Sequence, residues 1–469
     1  MTVTKPHADT AFRVAELIPV EGPWEVFAER SRRFEIHFTG RSVEMVRGPI
    51  LLEGYGLRLF RFRDGATRIG FQASTDLSEG GIRQASEDAE RLASWSVFPA
   101  KKIDLPGPVP RDLADVAVCD SRLWDQPLES IQAYVDALFG MFEGKEDVGP
   151  SFGSVRATLT ETSITNSAGL RAAYPHTTIE FEMAVKAYGG PEGSPPGEYW
   201  VIESYRRLDP RALGPQVEAW CGYARDVRKG GRTPTGELPV LLPSSVLSGI
   251  LPPVVGMRCT GASRLREMAP PAGSKWGSDE VNVSDDGRVP WALGSSPVDD
   301  EGTPQRRREV MIRGVISELL YDIKHAAAFD TRSSGNACRG VLPLFRDWRR
   351  FLGAPNGTST TVVVAPGTGG SDSELIEGVE DGIWVQQLGW AVPDPLSGAF
   401  GGELRIGYRI RHGKLAEPIR GGTVGGVVMA PPGQPSLLAN VAAVGSVPTL
   451  SEGVYSPTLA VKPLTVAGA

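Results

Sequence analysis

The sequence predicts an α+β fold: an N-terminal α/β domain with strands and two or three helices, then a C-terminal β-rich domain of barrel or sandwich type. Three observations carry this. At 469 residues the chain exceeds one ordinary domain. Its 56 Gly and 38 Pro favour turns and short strands over long helices. Period-2 alternation recurs through both halves, while most of the helical periodicity falls in the first.

In chain order, strands are predicted over 24–29, 34–38, 43–46 and 57–62, where apolar and polar residues alternate. Asp64-Gly65 supplies the positive φ values of a tight hairpin, and 68–73 is its return strand. Asp76 followed by Glu79 reads as a capping box. Ile82, Ala85, Ala89 and Leu92 then mark the inner face of a helix. A second helix over 128–142 carries Ile131, Val135, Leu138, Phe139 and Phe142, large residues that belong to a core. Strands follow over 155–161, 163–166, 170–174 and 177–186, and Gly189–Gly197 is a surface loop. A strand at 198–205 and a helix at 215–227 close the half.

Lys229-Gly-Gly-Arg-Thr-Pro-Thr-Gly236 is the best linker, so domains are placed at 1–228 and 237–469 with a linker at 229–236. After it, 238–242 is a strand. Ser244 or Ser245 caps a helix that Pro252-Pro253 should stop or kink. Residues 270–305 read as loop, 308–321 as a hairpin turning at Arg313-Gly314, and 333–337 as a polar turn. Strands are expected at 361–364, 383–388, 404–411, 422–429 and 458–466, with a helix at 374–379 and a hairpin tip at Arg411-His412-Gly413.

The net charge of −7 argues against a general nucleic-acid binder, which needs a basic face. Cys119, Cys221, Cys259 and Cys338 are scattered, without CxxC spacing, which fits a reducing compartment rather than a disulfide framework. No secretory h-region or long apolar run occurs, so a cytoplasmic protein without membrane spans is expected.

Chemistry is hard to assemble. His7, His37, His176, His325 and His412 show no helical ligand spacing, and isolated histidines are usually surface or hydrogen-bonded residues. Asp299-Asp300-Glu301, if extended, points neighbouring carboxylates to opposite faces, so a polar turn that packs or hydrogen-bonds near a cleft is expected rather than an ion site. The stretch VVVAPGTGGSDSE lacks the GK[ST] of a phosphate loop and is better read as a helix cap. No GxSxG elbow is present. The basic runs Arg306-Arg307-Arg308 and 346–351 read as solvated faces or partner contacts.

Several segments in order resemble one family, the TldD/PmbA (TldE) proteins. GLRLFRFRDGATRIGFQASTDLSEGG resembles its strand–DG–strand–helix unit, and ITNSAGLRAAY its NS-x-G hairpin. VDDEG with SSGNACRG, IGYRIRHGKLAEPIRGG and the tail YSPTLAVKPLTVAG resemble its later signatures, the tail that of the PmbA/TldE branch. The resemblance implies a TldD–TldE heterodimer that cleaves peptides or peptide-like amides. It also implies that the TldD branch holds zinc through H-E-x-x-x-H and a late cysteine. Laid on this chain, that six-residue motif falls on Pro252–Met257, with Pro252, Pro253 and Met257 at the three chemical positions, and no cysteine follows Cys338.

The resemblance therefore implies a metal-free, TldE-like subunit with no catalytic residue of its own. Its degenerate positions are Pro252, Pro253 and Met257, and zinc is expected only in a TldD-like partner. Relatives also serve natural-product pathways, lincosamide maturation among them. Two other classes stand beside this one. One is a stand-alone, metal-independent amide hydrolase using a Cys nucleophile. The other is a regulatory or binding protein without enzymatic role.

Overall fold

The computed structural model describes residues 9–100, 102–110, 113, 115–189, 195–340 and 349–468. Most of the loop expected at 189–197 and part of the basic run at 346–351 therefore lie outside the described residues.

The first half contains helices α1 (Thr10–Glu16), α2 (Glu79–Trp95), α3 (Ser121–Asp125), α4 (Pro127–Gly140) and α5 (Pro210–Lys229). Its strands are β1 (Trp24–Thr39), β2 (Ser42–Arg63), β3 (Ala66–Ser74), β4 (Val148–Asn166), β5 (Arg171–Ala187) and β6 (Gly197–Tyr205). They form one antiparallel sheet in the order β3-β2-β1-β4-β5-β6. The short runs read from alternation fuse pairwise into long strands, with bulges between Arg33 and Glu35 and between His37 and Phe38. Alternation fails between them because this sheet is covered on both faces. Val26, Ala28, Leu57 and Leu59 pack under α1 and α2, while Phe27 turns to Ile164, Val298 and Phe351 on the other side.

Local caps differ from expectation in instructive ways. The cap of α2 is Ser78, which accepts from Gly81 N at 3.1 Å. Asp76 instead accepts from Ser78 N at 2.9 Å, so it braces the cap from outside the helix. Leu92, expected on the inner face, is exposed, and Ala93 is buried in its stead. α5 starts at Pro210 with Asp209 as cap, the first helical position, where a missing N–H costs least, and it carries Pro215 inside the helix. β3 touches α2 so closely that a Cβ on Gly70 would lie 1.8 Å from Ala89 O. Gly70→Ala should therefore push α2 off the sheet and destabilise the fold by about 1–3 kcal/mol, read as a lower midpoint in thermal unfolding; an unchanged midpoint would contradict this packing.

The second half contains β7 (Gly231–Arg232), β8 (Gly236–Leu242), α6 (Ser244–Arg258), α7 (Gly261–Leu265), β9 (Val283–Asp286), β10 (Arg307–Ile312), β11 (Val315–Ile316), α8 (Ile323–Ala328), β12 (Ala337–Cys338), β13 (Asn356–Gly357) and β14 (Val362–Val364). There follow α9 (Asp372–Glu377), β15 (Asp381–Gly389), β16 (Ala399–Arg411), β17 (Lys414–Arg420), β18 (Thr423–Val427), β19 (Val441–Val444), β20 (Thr449–Ser451), β21 (Val454–Ser456) and β22 (Leu459–Ala467). Residues 270–305, expected as loop, thus contain the strand β9. Within 229–236, Gly231-Arg232 pairs with Ile419-Arg420.

One sheet runs β15-β8-β22-β18-β16-β17-β7, and the extra β15–β16 pairing closes five of its strands into a ring. A second runs β11-β10-β9-β14-β21-β20. α6 lies in the common core of the two, among Val240, Ile383, Val283 and Val454. The fold is thus mixed α+β with a barrel-like second half.

Candidate functional site

Pro252, Pro253 and Met257 all fall on α6, and the helix does not stop at the prolines. The expected stop is overridden by burial. Each internal proline forfeits a backbone bond, to Ser248 and Gly249 respectively, and costs about 3 kcal/mol in an ordinary helix. Against this, Val246, Leu247, Ile250, Leu251, Val254 and Val255 are all buried, and each contributes about 1.5–3 kcal/mol. The start is also different: Pro243 occupies the cap position without a side-chain bond, and Ser244 Oγ donates to Thr449 O at 2.9 Å instead.

The surroundings of the stretch are poor in donors. A Cβ on Gly256 would meet Thr358 Oγ1 at 2.6 Å and Ser359 Oγ at 2.7 Å. Ser359 Oγ lies 3.4 Å from Pro252 O. Met257 is half-buried and its carbonyl accepts from Thr260 Oγ1 at 3.0 Å. Two prolines and a thioether beside hydroxyls do not fit zinc, which takes imidazole, thiolate or carboxylate. Among the described residues, no three His, Cys, Asp or Glu side chains are grouped to hold a metal.

The other candidates disperse. His176 is buried, and its Nδ1 accepts from Arg206 Nη1 at 2.8 Å. Its Nε2 faces Thr162 Oγ1 at 3.2 Å. Nε2 also lies 3.3 Å from Arg350 Nη2, so guanidinium donors face both ring nitrogens. His325 is held by Asp322 at 2.8 Å and packs edge-on to Phe98. His37 and His412 lie beside Glu35 and Glu380. Burial pushes the thiols of Cys119, Cys221 and Cys259 up to about 12, 11 and 12. Such thiols carry almost no thiolate at neutral pH, the opposite of an activated nucleophile. Two clefts of about 280 and 290 Å³ open at Asp76–Gly81 and at Asp120–Tyr134, and no α6 residue lines either.

What the sequence did not disclose is a buried ionic knot between the first sheet and the second half. Arg58, 1% exposed, donates to Glu25 Oε2 and Glu301 Oε1, each at 2.7 Å. Arg339 reaches Glu25 Oε1 at 2.6 Å. Arg350 reaches Glu29 Oε1 at 2.7 Å and Asp300 Oδ1 at 2.8 Å. Arg339 and Arg350 also lie over the Phe27 ring, with their guanidinium carbons 4.7 and 5.3 Å from its centre. Arg350 belongs to the run 346–351, so for this residue the solvated reading is wrong.

Asp299-Asp300-Glu301 is the hub. Asp299 accepts from Ala337 N at 3.0 Å and Thr303 N at 2.8 Å. Asp300 accepts from Arg339 N at 2.7 Å, and Glu301 from Ile323 N at 2.8 Å. The hub is fully buried rather than at the lip of a cleft. Burial raises Glu29 and Asp299, and pushes Glu301 up to about 7 against the opposing pull of Arg58. The segments VDDEG and SSGNACRG are therefore two sides of one hydrogen-bonded clamp. It positions the halves and presents no group to solvent chemistry.

With this geometry in hand, likeness to known proteins becomes interpretable. Residues 24–93 match the PmbA/TldA metallopeptidase domain 1, and residues 235–468 match the PmbA/TldA metallopeptidase C-terminal domain. The chain belongs to the TldD/PmbA family. Family sequence features thus cover the first three strands with α2, and the whole barrel-bearing half with α6 and the DDEG hub.

Among curated relatives, a metalloprotease TldD homolog of Haemophilus influenzae is 25% identical over 194 residues, covering 41% of this chain and 38% of that protein. A TldD homolog of Buchnera aphidicola (from Schizaphis graminum) is 27% identical over 213 residues, covering 44% and 41%. An uncharacterized protein of Methanocaldococcus jannaschii is 28% identical over 149 residues, 32% of each chain. The aligned part spans less than half of each relative. Two solved structures extend the likeness to the full fold. A candidate DNA gyrase modulator from Thermotoga maritima superposes with TM-score 0.79 at 18% identity, covering 98% of this chain and 99% of that one. TldE from Thermococcus kodakarensis gives 0.75 at 19%, with the same coverage. No helix among the described residues is long and apolar enough to cross a membrane.

Proposed function

We propose that this chain is the non-catalytic, TldE-like subunit of a TldD/TldE-type zinc metallopeptidase. In this reading a TldD-like partner holds the zinc and cleaves peptides or peptide-like amides, and this chain completes and shapes the cleft. The observation that carries it is the chemistry of α6. The positions that the resemblance assigns to the family's two histidines and its glutamate base are Pro252, Met257 and Pro253, and both prolines are buried in apolar core. No metal-mediated step is derived for this chain, because those side chains do not fit zinc. Maturation of an amide-linked natural product is one substrate class within this reading.

The Cys-nucleophile alternative is opposed by burial of Cys119, Cys221 and Cys259 and their raised thiols. The test is co-expression with a TldD-like subunit, followed by size-exclusion chromatography, zinc analysis and peptide turnover. The expected result is a one-to-one complex with one zinc and hydrolysis only in the complex. A chain that elutes alone in the presence of its partner, or that hydrolyses amides by itself after metal stripping, overturns the proposal.

A further inference from the structure

The larger of the two clefts, about 290 Å³, opens between α3, α4 and the segment where β6 leads into α5. Its walls are held in place. Asp120 N donates to Thr177 Oγ1 at 3.0 Å, and Thr177 N donates to Val118 O at 3.1 Å, which pins the start of α3 to β5. Ser130 Oγ reaches Arg122 O at 3.5 Å and ties α4 to α3. Leu123 is 1% exposed, and Leu208 packs against the core under α4 and α5.

Three polar groups of the lining are left for a ligand. Asp120 Oδ1 accepts from Arg122 N at 3.0 Å and Leu123 N at 3.3 Å, while its Oδ2 has no hydrogen bond among the described residues. The Arg122 side chain is exposed and forms no ion pair among the described residues. Tyr134 is 5% exposed, and among the described residues its hydroxyl has no hydrogen-bond partner. A buried hydroxyl left unpaired costs free energy, so its place in the lining calls for a partner from outside the chain. Burial pushes this phenol up, so at neutral pH it is a donor. The rest of the lining is mainly apolar, with Leu123 and Leu208 its largest members.

We propose that this cleft binds a free α-amino acid with a medium-sized apolar side chain. The ligand's carboxylate meets Arg122 and the Tyr134 hydroxyl, its ammonium meets Asp120 Oδ2, and its side chain lies on Leu123 and Leu208. Asp120 and Arg122 are neighbours on one wall, so the two charges of the ligand must also sit close together, as they do on one α-carbon. A longer peptide carries its charged ends too far apart. Size agrees: at about 30 Å³ per water, the cleft has room for about ten waters, which a ligand of about ten non-hydrogen atoms replaces. An amino acid is also what peptide cleavage in the proposed complex would release. The binding itself needs no catalytic partner and stands apart from that reading.

Titration of the full chain alone with L-leucine tests it, followed by calorimetry and by the thermal unfolding midpoint. Binding should saturate, and the midpoint should rise with leucine concentration. 4-Methylpentanoate, which is leucine without its amine, and 3-methylbutylamine, which is leucine without its carboxylate, should each bind about tenfold more weakly, since each loses a charge-assisted bond. Arg122→Ala should weaken leucine about tenfold and leave the ligand-free midpoint unmoved. Tyr134→Phe keeps the edge contact with Phe181, 5.9 Å between ring centres. It should weaken leucine by about threefold to tenfold, while the ligand-free midpoint holds or rises because the unpaired hydroxyl is gone. No saturable binding of leucine, equal binding of either analogue, or unchanged affinity in both variants would overturn the assignment. So would a lower ligand-free midpoint in Tyr134→Phe, because the hydroxyl would then have its partner within the protein.

Discussion

Replacing Arg58 with alanine should destabilise the chain by about 3–5 kcal/mol, the cost of stranding buried carboxylates whose cation has gone. Arg58 is the guanidinium shared by Glu25 of the first sheet and Glu301 of the hub. Arg339 still reaches Glu25 and Ile323 N still reaches Glu301, so neither acid is wholly orphaned. The remaining bonds do not replace a positive charge at 2.7 Å. The loss should depend on pH. Glu301 is already raised to about 7, and Arg58 is the largest influence holding it down. Without Arg58 it rises further, so the variant regains part of its stability when acid protonates Glu301 and loses most above neutral pH. Urea unfolding at pH 5.5 and 8 measures this. Arg58→Met with Glu301→Gln should recover much of the loss, because the pair is then removed together rather than split. A single-variant loss under 1 kcal/mol at pH 8 would show that the knot is not shared in this way.

The same residue shows how far the sequence is legible. Leu57-Arg58-Leu59 reads as a strand with its arginine in water, since alternation assumes one wet face. The strand is where expected, but the second half covers the outer face. Only long-range contacts reveal that, and no period along the chain encodes them. The hub Asp299-Asp300-Glu301 could be seen as special yet not located, because its partners Arg58, Arg339 and Arg350 are tens to hundreds of residues away. Turns were legible for the opposite reason: Asp64-Gly65, Arg313-Gly314 and His412-Gly413 each carry their positive φ locally. α6 lies between these cases. Its prolines argued for a break on local grounds, and the surrounding core overrode them.

The triple change Pro252→His, Pro253→Glu and Met257→His should give neither a zinc site nor hydrolysis, and should cost stability. α6 runs from Ser244 to Arg258, with Pro252 buried and Met257 half-buried. Two imidazoles at these positions would still lack the late cysteine that the family resemblance implies as third ligand, because no cysteine follows Cys338. Among the described residues, no three His, Cys, Asp or Glu side chains are grouped to hold a metal. Glutamate at 253 enters a core of Leu251, Val254 and neighbouring aliphatic side chains without a cation. An unpaired buried charge there costs on the order of 3–5 kcal/mol, or the group stays protonated and cannot act as a base. Thermal unfolding should therefore move down, and metal analysis after zinc dialysis should stay near zero. One zinc per chain with amide hydrolysis by the triple variant alone would mean that α6 is a zinc-ready scaffold, and that the subunit assignment above is wrong.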